Sequence, residues 1–558
     1  MNYQGSDKPM VQLLVNQCFF HGIRHIVLSP GSRNAPLIIT FANHPGFTCY
    51  SIIDERSAGF YALGIARQLN EPVVVVCTSG TAVLNLAPAL AEAYYQNIQV
   101  VAITADRPPE LIEQEDGQTI RQREIFRNYI KRSITLPADE TLEAAEKAKG
   151  DIEQFFRWNI FFNTRPLHIN VPIREPLYGT SQLAVDSRTF EFPKEKLVLN
   201  AKINKELLSE WNSASKILIL CGVNLPNPKL NQTIEELSIQ KNIPVLATCI
   251  SNLDGEYIIG NIDKTVNSIP VGQLEAFAPD LLITLGGPVV SKKLKQFIRN
   301  AKPNHHWDID EINDTINTYG CLTRKLYCKT EWILAYLTKK AEPKTSEFKN
   351  RWQGQSIRNH ELHKNFLQSV SWSDLDVYHT FLEQITLPID LHLGNSSPVR
   401  YIEFFGKHPL VNYYTNRGTS GIDGSSSTAA GAAVASGNLT VLVTGDVSFV
   451  YDSNALWNKH LPKNLRILVI NNEGGNIFRL IPGPEDSGLL PYFETSHNAS
   501  IRKICEAFGV NYLKANSKES LIASLGPFFD LKSKTTVLEV FTSGIESATV
   551  FKEYLKNI

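Results

Sequence analysis

Short runs of β-branched and other apolar residues recur along the chain, each stopped by small or polar residues and followed by a longer amphipathic stretch. His25-Ile26-Val27-Leu28 stops at Ser29-Pro30-Gly31-Ser32, and Val73 to Cys77 stops at Thr78-Ser79-Gly80. Ala82 to Tyr95 is then predicted as a helix, and Val100-Val101-Ala102-Ile103-Thr104 follows. Strands alternating with helices predict parallel sheets covered on both faces. A Pro- and polar-rich stretch near 178–200 precedes a second series, with Lys216 to Leu220 and Leu281 to Leu285 as strands. A charged helical segment over 340–372 connects to a third series, which contains Ile389 to Leu393, Val441 to Thr444 and Arg466 to Ile470. The predicted fold is α/β, with three doubly wound parallel-sheet domains over 1–182, 183–345 and 346–558. Ligands of such sheets sit beyond the carboxyl ends of the strands, so the loops that stop the apolar runs are where chemistry is expected.

Composition narrows the setting. The 558 residues are 43% hydrophobic and 20% charged, with a formal net charge of −1. That balance points to neither nucleic acid nor an anionic membrane as a partner. The eight cysteines are dispersed, and Cys321 and Cys328 lack CxxC spacing, which fits a reducing cytoplasm better than a disulfide framework. The first residues show no signal-peptide pattern, and runs such as Val73 to Cys77 are too short to cross a bilayer. A soluble, cytoplasmic protein without a membrane span is expected.

The most informative local pattern is Gly445-Asp446 and, 26 positions later, Asn472 within Asn471-Asn472-Glu473-Gly474-Gly475. Alone, Gly-Asp reads as a turn. Both residues, however, follow apolar strands, so adjacent parallel strands would present a carboxylate and an amide oxygen at one edge. Magnesium takes about six oxygen ligands, commonly one or two carboxylates plus phosphates. Asp446, Asn472 and a backbone carbonyl near Gly474 could supply three, and diphosphate oxygens and water the rest.

This arrangement looks like a thiamine diphosphate motif, with Val447 where that motif commonly has glycine. Other strings narrow the resemblance. They are Ser29-Pro30-Gly31-Ser32-Arg33, Asp54-Glu55-Arg56, Thr78-Ser79-Gly80-Thr81-Ala82 and Thr104-Ala105-Asp106-Arg107-Pro108-Pro109-Glu110-Leu111. Asn416-Arg417-Gly418, Ser420-Gly421-Ile422-Asp423-Gly424 and Gly445-Asp446-Val447-Ser448 complete the set. In this order they resemble the 2-succinyl-5-enolpyruvyl-6-hydroxy-3-cyclohexene-1-carboxylate synthase family, over nearly the whole chain and most loosely over 185–380. That branch resembles Gly-Asp followed by an apolar residue, as here.

The resemblance implies a thiamine-diphosphate-enzyme fold with a pyrimidine-binding domain first, a central domain, and a diphosphate- and metal-binding domain last. It implies active sites between the first domain of one subunit and the third of another, in a homodimer or homotetramer. The activity implied is that of a transferase in menaquinone biosynthesis. It decarboxylates 2-oxoglutarate and adds the succinyl semialdehyde carbanion equivalent to isochorismate, with thiamine diphosphate and Mg²⁺ or Mn²⁺. Glu55 follows Tyr50-Ser51-Ile52-Ile53 and would cap a short strand; by similarity it is the catalytic carboxylate on the cofactor's pyrimidine ring, and a carboxyl in an apolar pocket has a raised pKa and can share a proton. Asn395, Ser396, Gly445 and Ser448 fall with the cofactor-binding strings, and Ile422 matches the aliphatic wedge that bends the cofactor. Asp446, Asn472 and Gly474 match the metal site. Ser32, Arg33, Arg107, Gln118, Lys292, Arg400 and Arg417 match residues that contact the dicarboxylate substrates or the intermediate, Gln118 also as a catalytic group. Arginine suits carboxylates because its planar fork stays charged and binds both oxygens. Ile477, Phe478 and Ile481 look like the apolar wall over the reacting carbon, and 482–491 like a lid. Other thiamine enzymes, such as a 2-oxoacid decarboxylase or acetohydroxyacid synthase, would lack the 416–424 string. A nucleotide-binding oxidoreductase would carry a GxGxxG after its first strand, which is absent.

Overall fold

In the computed structural model, which describes all residues except 1, 140, 163–164, 187, 189–200, 312–314, 482 and 558, the apolar runs become the strands of three six-stranded parallel sheets. A short strand β1 (Asn2–Ser6) comes first. The first sheet follows with β2 (His25–Leu28), β3 (Thr48–Ser51), β4 (Val73–Cys77), β5 (Val100–Asp106), β6 (Arg132–Thr135) and β7 (Leu167–Pro172). β8 (Thr180–Ala184) runs antiparallel to β1, so the pairing of the first domain extends to Ala184. The second sheet holds β9 (Ile217–Cys221), β10 (Val245–Ala247), β11 (Ile258–Ile259), β12 (Leu281–Leu285), β13 (His305–Asp310) and β14 (Arg324–Tyr327). The third holds β15 (Ile389–Leu393), β16 (Val411–Thr415), β17 (Leu439–Gly445), β18 (Leu465–Asn471), β19 (Asn511–Ala515) and β20 (Thr536–Phe541). Every residue of β4, β5, β7, β9, β12, β15 and β18 is buried. Sheets covered on both faces by helices need runs without polar alternation, and that is the pattern seen in the sequence.

Counted within each sheet, the first and third share the strand order 2-1-3-4-6-5, whereas the second runs 3-2-1-4-5-6. In the first and third sheets the order reverses between strands 1 and 3, which opens a crevice at their carboxyl ends. The loops after β2 and β4 carry Ser29–Arg33 and Thr78–Ala82, and those after β15 and β17 carry Asn395–Ser396 and Asp446. The predicted chemistry therefore gathers at two equivalent crevices.

Two local expectations change. Ala82 to Tyr95 forms two helices, Thr81–Asn85 and Ala87–Gln96, because Pro88 has no N–H to continue the first ladder. Glu55 does not cap a strand; it opens the helix Glu55–Leu69. The charged connector is the helix Phe348–Leu367. Its Phe348 and Trp352 pack in the second core and its Leu367 in the third. All eight cysteines are free. Among the described residues, no helix is long and apolar enough to cross a membrane.

The first and third domains meet where the helix Glu55–Leu69 packs on Ser425–Ala435, a helix of small residues. A Cβ on Gly64 would lie 2.1 Å from the Thr428 carbonyl oxygen, and one on Gly431 2.0 Å from that of Tyr61. The two backbones thus touch through reciprocal glycines, and neither partner can yield as a flexible side chain could. Replacing Gly431 by Val is expected to force the helices apart and destabilise the protein by about 1–3 kcal/mol or more. Thermal unfolding of the purified variant against wild type checks this.

Candidate active site

β17 and β18 pair in parallel with Gly445 opposite Ile470, so Asp446 and Asn472 leave the sheet side by side. Asp446 begins the helix Asp446–Tyr451 and is 1% exposed. Its Oδ1 accepts the Val447 N–H at 2.8 Å and its Oδ2 the Gly474 N–H at 2.9 Å, with His497 Nε2 3.5 Å from Oδ2. Burial pushes its carboxyl up to about 6. A carboxylate so desolvated is stabilised by a cation. Asn472 turns its Nδ2 to Asp374 Oδ2 at 3.0 Å. Among the described residues the Gly474 carbonyl accepts only the Asn476 N–H, at 3.0 Å, and keeps a second lone pair. Gly474 has φ +145, and a Cβ there would lie 2.6 Å from the Glu494 carbonyl oxygen, so the loop admits only glycine. Ser396 and Glu473, at φ +74 and +67, hold the adjoining turns in the left-handed region. Such strain concentrates at functional sites.

These residues line a cavity of about 250 Å³. Asn395, Ser396, Ile422, Gly445, Asp446, Ser448, Asn472, Gly474, Ile477 and Phe478 all face it; Ile481 does not. Ser448 Oγ donates to the Ile422 carbonyl at 2.6 Å and holds the loop that carries Ile422. Asn395 Nδ2 donates to the carbonyls of Asn416 and Gly421, each at 2.7 Å. Phe478 packs on Phe493 with ring centroids 5.5 Å apart. Pro482, at the start of the expected lid, lies outside the described residues. Among the described residues no three His, Cys, Asp or Glu side chains cluster as a metal site. An ion held between Asp446 and Asn472 would take its remaining oxygens from backbone carbonyls, water or a bound phosphate, as magnesium commonly does. The buried Asp446 carboxylate, the half-buried Asn472 amide and Gly474 line this cavity together with the apolar Ile422, Ile477 and Phe478, a set that fits a metal-bound diphosphate joined to an organic ring.

In the first domain, Asp54 caps the helix Glu55–Leu69 by accepting the N–H groups of Arg56 and Ser57. Glu55 therefore sits in the first turn, where the helix dipole favours a carboxylate. The third domain fixes this turn. Asn454 Nδ2 donates to Asp54 at 2.7 Å, and Arg56 donates to the Tyr451 carbonyl at 2.8 Å while covering the Tyr451 ring. Glu55 itself is half-buried, with Asn85 Nδ2 at 3.4 Å, and it does not line the Asp446 cavity, whose walls all come from residues 374–495. Behind it Ala58, Tyr61, Ala62 and Ile65 are core, as their spacing predicts.

Arg33, Arg107 and Gln118 come together beyond the first sheet. Arg33 donates to the Ile173 carbonyl at 2.9 Å and pairs with Glu175 at 3.0 Å. Arg107 lies 3.8 Å from the same Glu175 and 3.4 Å from Asp116. Burial and the Arg107 charge both lower the Arg33 pKa. Gln118, at φ +64, donates to the Ser79 carbonyl at 3.2 Å, and Ser32 is exposed beside Arg33. In the third domain Arg400 donates to the Ser396 carbonyl at 2.8 Å, and Arg417 to Asn395 Oδ1 at 3.2 Å. Burial and the Arg400 charge lower the Arg417 pKa. Like charges so confined favour an anionic ligand. Lys292 opens the helix Lys292–Ala301, is exposed, and makes no hydrogen bond or ion pair among the described residues; Lys293 is bound to Asn267.

Two buried carboxylates in this region escape a reading of the sequence. Glu92, 1% exposed, accepts the N–H groups of Gly418 and Thr419 at 2.8 and 2.7 Å and the Thr419 hydroxyl at 2.6 Å. It holds the turn that follows Arg417. A signal existed, since Glu92 falls on the apolar stripe of Ala89, Leu90 and Ala93. Asp374 lines the Asp446 cavity and reads in sequence only as an acidic helix start.

The chain matches thiamine pyrophosphate enzyme domains along most of its length. Residues 9–125 match the thiamine pyrophosphate enzyme N-terminal TPP binding domain, 191–390 the middle domain of thiamine pyrophosphate enzymes, and 396–540 the C-terminal TPP binding domain. The chain is 39% identical to the 2-succinyl-5-enolpyruvyl-6-hydroxy-3-cyclohexene-1-carboxylate synthase of Flavobacterium johnsoniae, over 98% of this chain and 99% of the relative. It is 40% identical to the synthase of the same name from Flavobacterium psychrophilum, over 99% of each. Against that of Porphyromonas gingivalis it is 37% identical, over 100% of this chain and 98% of the relative.

Proposed function

The chain belongs to the 2-succinyl-5-enolpyruvyl-6-hydroxy-3-cyclohexene-1-carboxylate synthase family of thiamine diphosphate enzymes, and from that premise we propose how its residues divide the work. The reaction is the menaquinone-pathway step that decarboxylates 2-oxoglutarate and adds the remaining four-carbon unit to isochorismate. Bound thiamine diphosphate supplies the electron sink that lets carbon dioxide leave and a carbon nucleophile form. Asp446, the Asn472 amide oxygen and the Gly474 carbonyl hold Mg²⁺ or Mn²⁺, which anchors the diphosphate. Asn395, Ser396, Gly445 and Ser448 would shape its cradle, and Ile422 would be the aliphatic wedge that keeps the cofactor bent. Glu55 holds and moves the proton at the pyrimidine ring. Arg33, Arg107, Gln118, Lys292, Arg400 and Arg417, with Ser32, bind the substrate carboxylates and orient the two reacting carbons. Ile477 and Phe478 keep water from the nucleophile, which water would otherwise protonate. The observation that carries this reading is the pair Asp446 and Asn472, set side by side at the carboxyl ends of β17 and β18, next to the point where the strand order reverses.

Each site is completed by a second copy of the chain, in a dimer or a tetramer, with Glu55 serving its neighbour's cavity. Two features support this. Glu55 does not line its own chain's cavity. Large apolar side chains are also exposed around it: Ile53 and Leu84 beside Glu55 and Asn85, and Tyr451 and Trp457 in the segment that fixes Asp54 and Arg56. Exposed apolar clusters of this kind mark association surfaces. The eight free thiols favour a reducing cytoplasm.

The test mixes protein, thiamine diphosphate, Mg²⁺ and 2-oxoglutarate, with and without isochorismate. Carbon dioxide release that rises on adding isochorismate is expected. Equal release in both mixtures would overturn the substrate assignment.

A further inference from the structure

Asn472 can offer a cation its oxygen only if its amide is turned correctly, because a half-turn presents an NH₂ group instead. Asp374 supplies the control. It is 1% exposed, begins the helix Asp374–Glu383, and meets the donors around it with both carboxylate oxygens. Its Oδ1 accepts the hydroxyls of Thr542 at 2.6 Å and Ser547 at 3.0 Å, and its own N–H donates to Ser547 Oγ at 3.0 Å. Its Oδ2 accepts Asn472 Nδ2 at 3.0 Å. A carboxylate held in this way can only accept, so it selects the NH₂ end of Asn472 and leaves Oδ1 to the cavity. Among the described residues nothing else hydrogen-bonds the Asn472 side chain. We propose that Asp374 is the positioning residue that keeps the oxygen of Asn472 directed at the cation, an inference that rests on the reading of Asn472 as a metal ligand.

The same geometry says what a near-isosteric change does. In Asp374→Asn the new side chain has one oxygen and one NH₂. Two hydroxyl donors converge on the Oδ1 position, and the Asn472 amide meets Oδ2 at 3.0 Å, with the Asn476 side chain also beside the carboxylate. The oxygen therefore stays with the hydroxyls, and the NH₂ turns to Asn472. Asn472 answers by flipping, and its own NH₂ faces the cation. The exchange variant, Asp374→Asn with Asn472→Asp, restores an acceptor. One oxygen of the new carboxylate takes the amide introduced at position 374, and the other faces the cavity. The exchange also restores the net charge.

The experiment titrates full-length protein, in the presence of thiamine diphosphate, with Mn²⁺ and reads free Mn²⁺ by electron paramagnetic resonance. Metal-free thermal unfolding is recorded alongside. Asp374→Asn is expected to lose roughly 10–100-fold in Mn²⁺ affinity, the usual effect of removing an outer partner of a metal ligand. The exchange variant is expected to regain most of that loss. A folded Asp374→Asn protein with wild-type affinity would overturn the inference, and so would a folded exchange variant as weak as Asp374→Asn. If Asp374→Asn does not fold, the exchange variant alone decides. Wild-type protein that binds no Mn²⁺ would instead defeat the underlying metal assignment.

Discussion

Glu55→Gln is expected to lower turnover by roughly 10²–10⁴-fold, the share of the barrier that a positioned acid–base group typically supplies. Affinity for thiamine diphosphate and Mg²⁺ should stay within a few-fold of wild type, because Glu55 lies apart from the cavity that would hold the diphosphate. Gln keeps the shape and one acceptor of Glu but cannot hold a negative charge or take up the proton. The helix should be undisturbed, since Asp54 and not Glu55 caps it. Steady-state kinetics and calorimetric cofactor binding on one preparation separate the two effects. Near-wild-type turnover would remove Glu55 from the chemistry.

Asp446→Ala should show the opposite profile. The carboxylate is buried, and the only positive group near it among the described residues is His497, at 3.5 Å and charged only if protonated. With the ion bound, the pair becomes a buried charge contact, and deleting one partner of such a contact costs about 3–5 kcal/mol. In affinity that is on the order of 10²–10³-fold or more, seen for Mg²⁺ and thiamine diphosphate together. Raising both ligands far above their wild-type dissociation constants should recover part of the turnover. Glu55→Gln should gain nothing from that treatment. An Asp446→Ala protein that binds both ligands normally would place the cation elsewhere.

How much of this could be read in the sequence follows from how local each cause is. Strands such as β4, β12 and β15 were legible because a sheet buried on both faces writes its demand into consecutive residues. Asp446 and Asn472 were legible for the same reason, as the residues that follow two such strands. The break at Leu86 was also written locally, in Pro88, but an otherwise continuous apolar pattern masks it. Glu55 reads as a strand end because Tyr50 to Ile53 is largely apolar, whereas Asp54 is the cap that starts a helix. The patch Ser425 to Ser436 showed only its small side chains; its meaning lies in the Gly64 backbone of another domain. Glu92 and Asp374 were hidden most deeply. Their partners Gly418 and Asn472 are 326 and 98 positions away, and nothing in a single chain of letters joins them.

The central claim is that Glu55 of one chain works on the cofactor held by Asp446 and Asn472 of another. Mixing the two inactive variants, Glu55→Gln and Asp446→Ala, under conditions where subunits exchange tests it directly. A mixed pair carries one site with both defects and one with neither. With random pairing, about a quarter of wild-type activity should therefore return, as two-fold symmetry requires. Exchange verified by differently tagged chains, with activity no higher than the two variants give separately, would show that each chain builds its site alone.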